Sequence, residues 1–308
     1  MDATSVVELV AAAVRIATPL LFAALGGVLS ERAGVFAVGL EGMMLAGAFA
    51  GVLGSHLAGS AGAGLVASAL GGMALAALVA LAAVRFGADQ MVTGLAVNIL
   101  AVGLTSFLLR GLAARGEAVT LRVPVLAPVA IPGLDAIPVI GPILFRQPPL
   151  TYLVLLLAPA IWVFLSRTRA GLTLRAVGES PAAAFAVGAA PDRVRVLAVL
   201  ASGALAGMGG AVLSLQQVGT FTDAMTNGRG YIALAAIIVG RWMPLGALLG
   251  CLLFGAADAL QLRVQGLRLP VSSYVIQMTP YVVALAVLAG LGRSARLPAA
   301  LGVPFRRG

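Results

Sequence analysis

A chain of 308 residues that is 61% hydrophobic and 10% charged, with a mean hydropathy of +1.07, is too apolar for a water-soluble globule, because soluble domains carry about 25% charged residues. All 20 basic residues are arginine, which excludes a P-loop lysine, a Schiff-base lysine and a Ser-Lys dyad and leaves any ATP hydrolysis to a partner. His56 and Cys251 are alone of their kinds, which excludes a His/Cys metal cluster and an intrachain disulfide, and the net charge of +9 is spread as single arginines beside apolar segments, a pattern that fits a membrane protein and not a nucleic-acid partner.

The chain opens on MDATSVVELVAAAVR, which lacks a basic n-region, so the first apolar segment is expected to be retained rather than cleaved. With about 20 mostly apolar residues needed per crossing, membrane helices are predicted at 9–29, 35–57, 62–84, 88–110 and 150–166, then at 196–215, 244–262 and 273–292. A shorter piece at 229–242 meets Arg241-Trp242 too soon to cross alone. It must borrow polar residues upstream, dip in and return, or be a broken helix shielded by its neighbours. The fold class is therefore all-α, one polytopic transmembrane bundle over 1–308 with about 8–10 helices, in which abundant glycine and alanine allow close helix packing.

Three connections carry topological information. Residues 111–149 hold seven prolines, a density that disfavours helix and predicts an irregular outer, periplasmic loop. Residues 167–195 hold five arginines and are placed on the cytoplasmic side, as is the tail 293–308 with four arginines and no acid. Five crossings before a cytoplasmic loop would put residue 1 outside, unless a short or re-entrant element lies within 30–43.

The centre of 167–195 reads as a short helix: Ser180 caps it, Pro181 suits its first position, the alanines at 182–184 favour it and Gly188 stops it. Barely two turns are unstable alone, and Phe185 gains little there unless another protein offers a groove. The segment is thus a docking element or, on composition alone, a solvated loop with an incidental turn.

Polar groups inside apolar segments need a reason, since an ionisable side chain at a helix centre costs about 2.5–3.5 kcal/mol on insertion scales. Glu41 either joins helices as an ion pair or cap or serves a gate or conduit. Asn98 either bonds helix to helix or faces a path, where it could donate and accept to a sugar hydroxyl or purine edge. Asp89 and Asp258 sit near segment ends, where solvation or capping suffices. Gln216, Gln217, Phe221, Thr222, Asp223, Asn227 and Arg229 cluster after 196–215 and either guide a solute or form an ordinary polar loop. A faint internal echo pairs LGGVLS and GLEGMMLAGAFAG (25–30, 39–51) with GGAVLS and GRGYIALAAIIVG (209–214, 228–240), as repeated transporter halves would.

RAVGESPAAAFAVGAAPDRVR (175–195) resembles the coupling loop of permease subunits of ATP-binding-cassette importers for simple sugars, nucleosides and, more distantly, branched-chain amino acids. The stretch 20–51, above all SERAG and GLEGMM, is similar to the opening helices of the nucleoside-type branch, and 93–108 and 227–261 resemble later family segments. The resemblance covers most of the chain except 111–149. It implies a type II-like importer architecture of about ten helices with the N-terminus inside, in the bacterial inner membrane. It further implies that Arg175, Gly178, Glu179, Pro181, Phe185 and Gly188 contact a cytoplasmic ATPase that binds ATP and Mg, with no cofactor in this chain. The other partners would be a second, different permease and an extracytoplasmic substrate-binding lipoprotein. The implied solute is a nucleoside, with a ribose-like sugar or a branched-chain amino acid as alternatives. Glu41, Asn98, Phe221, Asp223 and Asn227 are the pathway candidates.

Two other classes compete. Composition alone also suits an ion-coupled secondary transporter, which would not need a docked ATPase. Intramembrane proteolysis is disfavoured: Ser202 sits in LASG without the first glycine of GxSG, and no GxGD-like element occurs.

Overall fold

The computed structural model describes residues 3–114, 122–135, 137–266 and 297–305, with isolated positions between 278 and 290. The segment 273–292 lies mostly outside the described residues, and all four tail arginines lie outside them. Ten helices are described: α1 (Ala3–Arg32), α2 (Leu40–Ala58), α3 (Ala61–Val79, extended by a π-helical turn to Arg85), α4 (Gln90–Ala114), α5 (Pro149–Arg167), α6 (Arg169–Glu179), α7 (Pro181–Ala186), α8 (Pro191–Ala211, extended to Val218), α9 (Arg229–Val239) and α10 (Pro244–Gly266). Among the described residues seven are long and apolar enough to span a bilayer, namely α1 to α5, α8 and α10. The chain is an all-α polytopic membrane bundle.

The centre of the bundle is held by backbone proximity. Helix α1 packs on α8 and α10, while α2 packs on α3 and α8. A Cβ on Gly47 of α2 would lie 2.3 Å from Gly207 Cα of α8, and one on Gly207 would lie 2.1 Å from the Ser68 carbonyl of α3. Lipid offers helices no hydrophobic drive toward one another, so such backbone approach, with its dense van der Waals contact, supplies the cohesion.

Hydrogen bonds between distant residues orient the bundle. At one end Arg263 of α10 donates to the Ser5 carbonyl at 2.6 Å, and Gln217 of α8 donates to the Arg15 carbonyl at 3.4 Å. At the other end Arg32 Nε donates to the Trp242 carbonyl at 2.7 Å, and the Gly178 carbonyl accepts the Ala300 N–H at 2.9 Å. Ser5 therefore lies at the end opposite α6 and α7, with five crossings between. This parity follows the helix count: residue 5 and the 167–195 segment lie at opposite ends of the bundle. Residues 33–39 are non-helical and climb back into the bundle without adding a crossing, so helix begins at Leu40 rather than at 35.

The piece at 229–242 is a broken helix. Its eleven helical residues, α9, span about 16 Å, roughly half a 30 Å hydrocarbon layer. It ends against Arg32, so its N-terminus lies near mid-depth. The proline-rich connection is more ordered than expected: β1 (Val129–Ala130) pairs antiparallel with β2 (Arg146–Gln147), and a π-helical turn runs Gly141–Phe145. Tyr152 joins this hairpin, accepting the Gln147 N–H at 2.9 Å and donating to the Val129 carbonyl at 3.0 Å.

Candidate functional site

Two places concentrate the residues singled out by sequence. The first is the bundle end that carries α6 and α7. Ser180 Oγ accepts the Ala183 N–H at 3.3 Å, Pro181 occupies the first turn, and Gly188 takes φ +90°, the left-handed conformation that ends the helix. Phe185 stays half-exposed and leans on Phe305, with ring centroids 5.8 Å apart. Val187, which the sequence reading passed over, is 86% exposed beside it. An exposed apolar pair on a capped six-residue helix has the form of a docking knob.

Helix α6, which sequence reading missed, sets α7 in place. Thr168 caps α6 through the Gly171 N–H at 3.1 Å. Its C-terminal Gly178 presses on α1 so closely that a Cβ would meet the Arg32 carbonyl at 2.1 Å. Glu179 is exposed and accepts the Ala299 N–H of the tail at 3.3 Å, and both Arg175 and Glu179 lie within electrostatic reach of Arg32. Gly178 and Glu179 thus make contacts within the chain, while Phe185 and Val187 remain presented outward.

Behind this surface the motif SERAG (30–34) acts as a tie point. Ser30 Oγ donates to the Val35 carbonyl at 2.8 Å, and Gly34 takes φ +89° to turn the chain. Buried Glu31 accepts from Trp242 Nε1 and from the Ala37 N–H at 3.3 Å. Arg32 donates to the carbonyls of Trp242 and Arg241, two residues held at φ +55° and +54° in the turn after α9. Arg195, 2% exposed, donates to the carbonyls of Ala33, Val303 and Ala300 at 3.2, 2.9 and 3.4 Å. One guanidinium thereby fastens the tail and the end of α1 to the start of α8. A sequence reading that treats loop arginines as topology signals has no means of finding this role; the only hint is the helical continuation from Pro191 into an apolar run.

The second place is the mid-depth junction of α2, α4 and α9. The Glu41 carboxylate accepts the Gly228 N–H at 2.8 Å and the Gly230 N–H at 2.6 Å, which places a negative group on the positive end of α9. Asn98 of α4 accepts the Gly42 N–H at 2.8 Å and donates to the Val38 carbonyl at 2.9 Å and the Tyr231 hydroxyl at 3.0 Å. These bonds satisfy backbone groups that the break in each helix leaves without an intrahelical partner, a requirement in hydrocarbon.

The polar cluster after α8 is dispersed. Gln216 turns inward to the Leu150 N–H at 3.2 Å and to Thr151 Oγ1 at 3.3 Å, and Gln217 reaches α1. Phe221 is buried edge-on against Phe49 at 5.2 Å. Arg229 folds back onto the carbonyls of Met225 and Thr226. Thr222, Asp223 and Asn227 are exposed, with Asp223 accepting from Ser106 Oγ at 2.7 Å. Asp89 caps α4 through the Val92 N–H at 2.9 Å. Among the described residues no group of acidic, histidine and cysteine side chains could hold a metal.

Comparison with known proteins places this architecture. The chain is 38% identical to the guanosine ABC transporter permease protein NupQ of Bacillus subtilis over 321 aligned residues, covering 100% of this chain and 99% of the relative. It is 38% identical to the nucleoside ABC transporter permease protein NupC of Lactococcus lactis, over 94% of this chain and 93% of the relative. The putative glucose ABC transporter permease protein TsgC13 of Haloferax volcanii is 36% identical over 84% of this chain and 78% of its own length. No solved structure matches. The profile of the branched-chain amino acid transport system permease components matches residues 9–293, and with relatives aligned along its whole length the chain belongs to that permease family.

Proposed function

We propose that this chain is the membrane-spanning permease subunit of an ATP-driven bacterial importer for nucleosides, acting in the cytoplasmic membrane. The observation that carries this reading is whole-length similarity to two permeases named for guanosine and nucleoside transport. The geometry supports it: α7 presents Phe185 and Val187 outward, and α6 behind it is locked to Arg32, whose turn leads to the broken helices at mid-depth. In this reading the α6–α7 end and the tail face the cytoplasm, and 111–149 faces outward.

A cytoplasmic ATPase, binding ATP and Mg, docks on α7 through Phe185 with Arg175, Glu179 and Pro181 about it. A second permease completes the pathway, as a heterodimer, and a substrate-binding lipoprotein delivers solute from outside. Glu41, Asn98, Phe221, Asp223 and Asn227 border the path, Glu41 and Asn98 by holding its walls together.

The test is isolation of the chain from mildly solubilised native membranes, identification of what accompanies it, and reconstitution of that complex with ATP and labelled guanosine. Co-isolation of an ATPase, a second permease and a lipoprotein, with uptake that stops when ATP is withheld, is the expected result. Recovery of the chain alone, with uptake abolished by an ionophore and indifferent to ATP, would identify a secondary transporter instead. A simple sugar is the competing solute, because one relative is named for glucose, and competition by unlabelled glucose or ribose against guanosine decides between them.

A further inference from the structure

We propose that residues 297–305 are a strap that forms a second docking element for the cytoplasmic ATPase, with Val303 and Phe305 widening the apolar surface that α7 offers. The proposal rests on the reading of α7 as the ATPase-facing knob and adds the chain's tail to it.

The strap has neither helix nor strand, yet groups at helix ends hold it along its length. The Ala299 N–H donates to the Glu179 carboxylate at 3.3 Å and the Ala300 N–H to the Gly178 carbonyl at 2.9 Å, which fastens its start to the end of α6. The Gly302 N–H donates to the Gly34 carbonyl at 3.3 Å. Gly302 takes φ +81° over the Phe36 ring, where a Cβ would lie 3.2 Å from the nearest ring carbon. Arg195 holds the Ala300 and Val303 carbonyls from the start of α8. Farther on, Pro304 reaches the turn between α3 and α4, where a Cβ on Gly87 would lie 3.8 Å from Pro304 Cβ. Fixing each residue costs about 1–2 kcal/mol of backbone entropy, and chain ends are ordered only where they are tied down in this way.

What the strap turns outward is apolar. Pro304 faces Gly87, while Phe305 lies against Phe185 of α7 and Val303 is 52% exposed. One apolar surface thus runs from Val187 and Phe185 to Phe305 and on to Val303. It sits beside Gly34, Gly87 and Gly178, at the level where the membrane helices end, so the lipid interior does not cover it. A contiguous apolar patch in that position marks a protein partner.

Charge supplies the partner's chemistry. Arg167, Arg169 and Arg193 are exposed at this end of the bundle, and in the sequence Arg306 and Arg307 follow Phe305 directly. Of the acids here, Glu179 is turned to the strap and Asp192 lies within electrostatic reach of Arg195. An apolar surface set among cations fits a cleft with an apolar floor and an acidic rim. Such a cleft on the ATPase would grip α7 and the strap together. Helix α7 packs chiefly on α6 and α8, whereas the strap also touches the turn after α1 and the turn between α3 and α4. A push on the strap therefore reaches the ends of α1, α3 and α4 directly.

Cysteine protection in the assembled complex tests this. On a Cys251→Ala background, Val187→Cys, Val303→Cys and, as a control at the other end of the bundle, Arg146→Cys are labelled with a charged water-soluble maleimide. Each is labelled in the ATPase-containing complex, in the chain purified alone in detergent, and in the chain alone in vesicles of phosphatidylcholine and phosphatidylglycerol. Labelling of Val187→Cys and Val303→Cys should be slower in the complex by about tenfold or more, because a covered thiol reacts only while its cover opens, and Arg146→Cys should react alike throughout. Val303→Cys reacting equally fast with and without the ATPase, while Val187→Cys is protected, would overturn the strap as a docking element and leave the α7 reading standing. Both thiols unprotected in a complex that hydrolyses ATP would overturn the α7 reading as well. Val303→Cys already protected in the vesicles without the ATPase would make the membrane surface the occupant, which also overturns the proposal. Val303→Asp keeps the carbonyl that Arg195 holds, so ATP-driven uptake should fall by about tenfold with the unfolding midpoint unchanged. Uptake at the parental level in that variant would count against the strap in the same way.

Discussion

Glu41 and Asn98 resolve at the scale of single side chains a question that sequence leaves open. Each spends its polar atoms on backbone groups exposed by helix breaks, so each holds the walls of the mid-depth junction. Glu41→Ala removes two charge-assisted bonds and should cost about 2–4 kcal/mol, while Glu41→Gln, which keeps an acceptor, should cost about half as much. Thermal unfolding of the purified variants in detergent measures both, and a Glu41→Ala midpoint equal to that of the parent would remove the capping role. Arg195 makes a second prediction. Arg195→Met should free the tail, and amide exchange at Ala300, whose N–H is bonded to Gly178, should accelerate by about tenfold or more, equivalent to losing one hydrogen bond of about 1.5 kcal/mol.

At the scale of elements, α2 and α9 are mirror cases. Each follows a long helix and a non-helical stretch, 33–39 or 219–228, and the two N-termini meet where Glu41 reaches Gly228 and Gly230. The sequence echo of 25–51 with 209–240 falls on these two units, which run in opposite directions through the bundle. An inverted repeat with its broken helices facing at mid-depth is a common transporter plan. The contact of α2, α3 and α8 makes the element-scale prediction. Gly207→Val would drive side-chain atoms into the Ser68 carbonyl and the Gly72 backbone, so folded protein recovered from membranes should fall by about tenfold, far more than for Gly103→Val on the open face of α4. Equal recovery of the two variants in size-exclusion chromatography would contradict the backbone packing described here.

For the whole molecule, contiguous contacts run from α7 through α6 to Arg32, along the SERAG turn, and on to Glu41 and α9. On the proposed reading, a partner docking at α7 would meet a solid frame rather than a loose loop. Phe185→Asp and Val187→Asp should each lower ATP-driven uptake by about tenfold or more, at the level of a 1–3 kcal/mol coupling energy, with the unfolding midpoint unchanged for Val187→Asp, whose side chain projects outward, and lowered for Phe185→Asp only by the loss of its contact with Phe305. Uptake equal to that of the parent in both variants would show that α7 is not the docking knob.

Much of this was legible in the chain itself. Hydropathy and segment length determined the membrane bundle, the chain offers no lysine for a P-loop, and local capping chemistry determined α7, because Ser180, Pro181 and Gly188 act within a few residues of one another. Local rules also left the short piece at 229–242 with three outcomes. What only the tertiary structure decided are the long-range ties: Arg195 to the tail, Glu41 to the start of α9, Asn98 to Tyr231, and the dispersal of Gln216, Gln217 and Phe221 away from Asp223. Their partners lie 65 to 202 residues away, and a polar side chain in an apolar run announces only that it needs a partner. Which backbone group it finds depends on where broken helices bring unsatisfied N–H and C=O groups to the same depth.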